Sequence, residues 1–236
     1  MVRPLNSIKS FIRNLSRPAE FFLVVLVCFW WGIIGSAKQF VGHLMHGAKT
    51  EQITNGLVCG VVIMQLLVMI FAFWVGRIRG WSLAMFGSRI SWKGTFKGLL
   101  LLLVTILAML FSVALTNVLA PGARNVPHVV NGVTVSRLTL PFILLFSLVN
   151  PIYEEVLGTG YFIHSLQRCG MLPSVLASAC FRAFLHSYQG LDAIVIVLPM
   201  GLVFGFCYWR WRQLWPLIVA HIVFDLWPLL AFIHKV

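Results

Sequence analysis

The stretch Asn150-Pro151-Ile152-Tyr153-Glu154-Glu155 puts two adjacent carboxylates inside an apolar run. An ionised carboxylate in hydrocarbon is costly, so such residues face a polar cavity or a partner. The chain has six acidic residues, and three of them, Glu154, Glu155 and Asp225, lie within hydrophobic segments. Arg182, His186 and His221 also sit in hydrophobic segments. Arg182 and His186 are four residues apart, as are His221 and Asp225, so on a helix each pair shares a face. Arg182 is a permanent charge that must find an anion, and the glutamates are its natural partners. A glutamate tuned by burial and a neighbouring cation acts as a general base near neutral pH. Each group also has a plainer reading. A lone histidine between spans more often bonds one helix to another, and Glu154 with Arg182 would make a structural ion pair. So many ionisable groups on three spans favour a functional intramembrane site over a purely structural one.

The elements that must position these groups follow from composition. The chain has 236 residues, 60% hydrophobic and 10% charged, with mean hydropathy +0.93. A soluble domain carries about 25% charged residues, so the expectation is an all-α, polytopic transmembrane helical bundle. Seven apolar spans of near bilayer-crossing length are expected at about 20–37, 54–76, 98–120, 138–165, 172–190, 191–209 and 213–233. The fourth contains Pro151, which removes a backbone donor and invites a kink or a break. The fifth and sixth abut at Gly190-Leu191, which demands a tight turn. The division is a basic N-terminal segment at 1–19, N-terminal spans at 20–137 with an interfacial segment at 77–97, and a helical core at 138–233.

Charge sets the expected orientation. Twelve cations fall on the side of the N-terminus, the 77–97 segment and the loops near 166–171 and 210–212, against five on the other side. The positive-inside rule then gives a cytoplasmic N-terminus. Residues 1–19, with Arg3, Lys9, Arg13 and Arg17, read as a basic flank that sets topology in preference to a surface helix. The net charge of +12 does not indicate nucleic acid, because no basic soluble module is present to bind it. The five cysteines lie in or at the ends of apolar runs without C-x-x-C spacing, so they read as packing residues. His43 and His46 are three apart, but no third ligand accompanies them, and no metal site is expected. In the 121–137 loop, Asn131-Gly132 is a turn signal. No internal repeat is present, which gives no support to an inverted-repeat transporter.

Three motifs occur in order. Glu154-Glu155 is followed by Gly160-Tyr161, then comes Arg182 to His186 with Tyr188-Gln189-Gly190, then Leu214-Trp215-Pro216 leading to His221 and Asp225. Over roughly residues 138–230 this pattern resembles the CPBP family, the CAAX-processing and bacteriocin-processing intramembrane glutamic proteases, also called Abi. The resemblance implies cleavage of a peptide bond in a membrane-anchored or lipid-modified substrate within the bilayer. It implies that Glu154, with His186, activates a water, that Glu155 supports the site, and that His221 and Asp225 stabilise the oxyanion. It implies neither a metal nor another cofactor. An ionised Asp225 would repel an oxyanion, so Asp225 either carries a proton or orients His221, and the second role is preferred.

The sequence departs from the family's pattern at three positions. Asp225 stands where the family often has Asn, Thr159 stands four residues after Glu155 where it usually has Arg, and Arg182 stands where its second motif often has Phe. Arg182 is expected to supply, from the next helix, the cation that Thr159 lacks. The expected setting is a multi-pass protein of a prokaryotic cell inner membrane. The alternatives are a catalytically inactive member acting as an immunity or scaffold protein, and an ion-coupled carrier.

Overall fold

The structure, a computed structural model, describes residues 3–46, 51–119, 133–135 and 138–233. The Asn131-Gly132 turn and the side chains of His43 and His46 lie outside the described residues. The protein is an all-helical bundle. Helix α1 (Arg3–Asn14) is followed by α2 (Arg17–His46), α3 (Asn55–Arg79), α4 (Trp92–Leu119), α5 (Leu140–Tyr153), α6 (Phe162–Leu166), α7 (Met171–Leu185), α8 (Leu191–Trp211) and α9 (Trp215–Ile233). Between α5 and α6 the chain stays helical but widens to π geometry over Glu154–Tyr161. Two three-residue strands that the sequence reading did not anticipate, Glu51–Ile53 and Val133–Val135, pair in parallel and tie the two loops together.

Five helical stretches are long and apolar enough to cross a membrane: Arg17–Gly42, Asn55–Arg79, Trp92–Leu119, Leu140–Cys169 and Ala193–Trp211. Two shorter apolar helices, Met171–Leu185 and Trp215–Ala231, complete the set of seven apolar segments. With these helices the chain is an integral membrane protein. The outer face of α4 carries Leu103, Val104, Leu107, Leu110 and Phe111 in exposed positions, as suits a surface solvated by acyl chains rather than water. Its inner face is a stripe of Gly94, Gly98, Leu101 and Thr105, all buried. Small residues at this spacing let two helix backbones approach. A β-carbon at Gly98 would lie 2.7 Å from the Pro216 carbonyl oxygen of α9, and Trp215 Nε1 donates to Thr95 Oγ1 at 2.9 Å across the same seam.

The helix ends follow local chemistry. Thr54 caps α3, its hydroxyl accepting from the Leu57 amide at 3.3 Å, and Gly80 closes it at φ +79°. The N-terminal segment is more than a charged flank. Residues 3–14 form α1 with Ile12 buried, and Arg79 donates from Nη1 to the Arg13 carbonyl at 2.7 Å while its Nε pairs with Glu20 at 2.6 Å. Arg79 thereby satisfies a carbonyl left open at the end of α1.

One boundary differs from the sequence reading in a way that matters. The fifth helix was expected to run through His186 to residue 190, but α7 ends at Leu185. His186 has left helical geometry (φ −96°, ψ 1°), a 3-10 turn spans Ser187–Gln189, and Gly190 takes φ +97° before α8 begins. A positive φ of that size is open to glycine and strained for other residues. Arg182 and His186 therefore do not present one helical face.

Helices α7 and α8 pack at close range through Gly201, where a β-carbon would sit 2.9 Å from Ala179 Cα. Gly201→Val should lower stability by about 2 kcal/mol through overpacking. Thermal unfolding in detergent should show it as a melting shift of several degrees.

Candidate active site

Pro151 has no amide hydrogen, so the helix loses one ladder bond there. Three residues later the ladder re-forms with longer steps, and Phe162 N–H reaches back to the Leu157 carbonyl, five residues away. π-Helical stretches of this kind recur at functional sites because they leave carbonyls to be satisfied from outside. Here Ser178 of α7 donates its hydroxyl to the Gly158 carbonyl at 2.7 Å. The expected proline break thus takes the form of a widened helix, and α7 docks on it.

The two glutamates have different surroundings. Glu155 is fully buried, and its carboxylate is surrounded by donors. Arg182 Nη2 donates to Oε1 at 2.6 Å, and His221 Nδ1 lies 2.7 Å from the same oxygen. Thr159 donates its hydroxyl to Oε2 at 2.9 Å. Arg182 Nη2 also reaches Thr159 Oγ1 at 3.1 Å. A buried carboxylate with this set of partners is compensated for the water it has lost. Glu154 instead has one cation nearby, Arg182 Nη1 at 3.8 Å from Oε2, and its side chain stays 17% exposed. It borders a cleft lined by Phe29, Gly158, Phe181, Arg182 and Leu185, with about 10 Å³ open to the centre of a water molecule. That is about the room one water needs.

His221 is held between two carboxylates. Its Nδ1 faces Glu155, a pure acceptor, so that nitrogen carries the proton, and its Nε2 is 3.5 Å from Asp225 Oδ1. The far oxygen of Asp225 accepts from Asn150 Nδ2 at 2.8 Å. Asn150 Oδ1 in turn accepts from Gln65 Nε2 at 2.7 Å. A continuous polar chain therefore runs from α3 through α5 and α9 to the carboxylate of Glu155 and on to Arg182 of α7. Phe204 of α8 closes its apolar side, stacked edge to face with His221 at 6.2 Å and under the Arg182 guanidinium at 5.7 Å.

Of the residues singled out in the sequence, Glu154, Glu155, Arg182, His221 and Asp225 meet in this cluster. Arg182 contacts both carboxylates, the arrangement expected of a cation that answers for Thr159. His186 stands apart. Its Nδ1 lies 3.0 Å from the Arg182 carbonyl oxygen, its ring stacks on Tyr188, and among the described residues no hydrogen bond joins it to Glu154. Because the carbonyl only accepts, Nδ1 bears the proton, and Nε2 is left as the acceptor in the neutral ring. Helix α7 is only 15 residues long, and Leu185 at its end lines the same cleft as Glu154. Asn150 and Gln65 had no role in the sequence reading. Gln65 is the one long polar side chain in α3 before Arg77, and that isolation in an apolar span is the signal that could have found it.

The fold and this cluster define a polytopic helical membrane protein with a buried carboxylate–guanidinium–imidazole site. Residues 136–227 match the family model described as type II CAAX prenyl endopeptidase Rce1-like, which is the CPBP family. The resemblance read from the three motifs is borne out over nearly the same stretch. The family is one of membrane proteases, with intramembrane proteolysis as its general activity and membrane-anchored peptides as its substrates. No curated protein and no solved structure matches the chain significantly.

The two glutamates should respond differently to neutralisation. Glu155→Gln leaves Arg182 buried without its closest counter-charge and should cost about 3–5 kcal/mol. Glu154→Gln should change stability by less than about 1 kcal/mol. Thermal unfolding of both variants in the same detergent checks the difference.

Proposed function

We propose that the protein is an intramembrane endopeptidase in which Glu154 is the general base that activates water. Its substrate is a peptide held at the bilayer by an anchor or a lipid group. The observation that carries this reading is the division of labour between adjacent carboxylates. The oxygens of Glu155 are engaged by three donors, whereas Glu154 borders a water-sized cleft. A base must have a lone pair free for the proton it takes, and Glu154 is the one that has it.

Glu155 and Arg182 hold one another, and His221 and Asp225 complete the frame that keeps both in place. Asp225 accepts from Asn150 and faces His221, the orienting role preferred from charge alone. His186, one residue beyond the end of α7, has Nε2 as acceptor and is suited to help orient the water that Glu154 deprotonates. Phe29, Phe181 and Leu185 exclude bulk water from the cleft. Exclusion of water strengthens the electrostatic contacts inside the cleft.

Glu154→Gln should lower cleavage of a membrane-anchored peptide by at least about a thousandfold, within the range for loss of a general base. The variant should unfold at nearly the parent temperature. Cleavage is read by mass spectrometry of the peptide products in proteoliposomes. A folded Glu154→Gln protein that still cleaves at the parent rate would exclude this role, whereas a parent protein that cleaves no membrane-anchored peptide would favour a non-catalytic immunity or scaffold function.

A further inference from the structure

The guanidinium of Arg182 is spent on one side only. Nη2 serves Glu155 and Thr159. Nη1 is buried and has no hydrogen-bond partner, and the residue as a whole is 6% exposed. A buried donor left unpaired is destabilising, so a protein keeps one only where something compensates or uses it. The nearest anionic oxygen to Nη1 is Glu154 Oε2 at 3.8 Å, beyond hydrogen-bond distance. Arg182 and Glu154 line the same water-sized cleft.

The groups that the family resemblance assigns to the oxyanion are placed differently. Neither His221 nor Asp225 lines that cleft. Both ring nitrogens of His221 face carboxylates, and Asp225 acts as an acceptor from Asn150.

We propose that Arg182 Nη1 is the oxyanion donor of this protease, a catalytic residue that binds the carbonyl oxygen of the scissile bond. The inference rests on Glu154 being the base. Water adds to the carbonyl carbon as its proton passes to the Glu154 carboxylate. The carbonyl π pair moves onto oxygen, and Nη1–H stabilises that negative charge. Collapse of the tetrahedral intermediate restores the C=O bond and breaks C–N, and the proton held by Glu154 goes to the departing amine. Peptide and water give one carboxylic acid and one amine, with the base regenerated. Arg182 is suited to hold both charges because its planar fork is fixed by Glu155 and Thr159 before substrate arrives, so no reorganisation is needed as the oxyanion forms.

Arg182→Ala removes the counter-charge of the buried Glu155 and is expected to destabilise the fold on that account, so the informative variant is Arg182→Lys. It keeps a cation for Glu155 but loses the second arm of the fork. In the full chain in proteoliposomes, Arg182→Lys should lower kcat by about a hundredfold or more, the effect of losing one oxyanion donor. KM should stay within about twofold. A second readout needs no turnover: binding of an acyl-anchored peptidyl phosphinate, whose tetrahedral anion mimics the intermediate, measured by calorimetry in detergent. Arg182→Lys should weaken it at least tenfold while the corresponding uncleaved peptide amide binds as before. Glu154→Gln should bind the phosphinate as well as the parent or better, since it removes a like charge. If Arg182→Lys, folded as judged by thermal unfolding, keeps parent kcat or parent phosphinate affinity, the oxyanion role is wrong. If Arg182→Lys behaves as expected and Glu154→Gln still cleaves, the base assignment is what fails.

Discussion

A carboxylate sealed inside a helical bundle, with a guanidinium beside it, is the constraint on which the rest of this protein depends. Glu155 is fully buried, and Arg182 approaches it to 2.6 Å. Neither charge is tolerable in hydrocarbon without the other. Meeting that demand requires the π-helical segment to face α7, α7 to end at the right depth, and α9 to bring His221 to the same oxygen. The close glycine contacts of α4 with α9 and of α7 with α8 serve the same end, because backbones must approach for short polar side chains to meet.

The order imposed on Glu155 is what frees Glu154. In a regular helix two neighbouring carboxylates compete for whatever cation is near. Here the cation is committed at one nitrogen to Glu155, and Glu154 receives only a loose share of the other. The result is one carboxylate with a structural role beside one with lone pairs toward a cleft. The relay Gln65–Asn150–Asp225 extends the frame to α3, outside the stretch that matches the Rce1-like family. The N-terminal helices therefore contribute to the site through packing and hydrogen bonds as well as by enclosing it.

The departures at Thr159, Arg182 and Asp225 form a connected set. Thr159 and Arg182 are hydrogen-bonded to one another and to Glu155. A cation supplied from α7 enters the cleft from a different wall than one supplied from the π segment itself. That change of wall leaves a donor beside Glu154. The same account explains why Asp225 is compatible with the cluster: it lies behind His221, with the Asn150 amide as its partner, and is not among the groups that line the cleft.

The sequence by itself determined the helical membrane class and the family resemblance, and it made the intramembrane ionisable residues conspicuous, because charge in lipid is costly. Local chemistry also announced a disturbance at Pro151. What it became, a π segment satisfied by Ser178, depended on which helix packed beside it. Only the tertiary structure decided which glutamate is locked and which is open, since residues adjacent in sequence differ in neighbours alone. The same holds for His186, removed from the face of Arg182 by a turn that closes at Gly190. It holds for Gln65 and Asn150 too, whose amides are ordinary in sequence and acquire meaning from a partner 75 or 85 residues away.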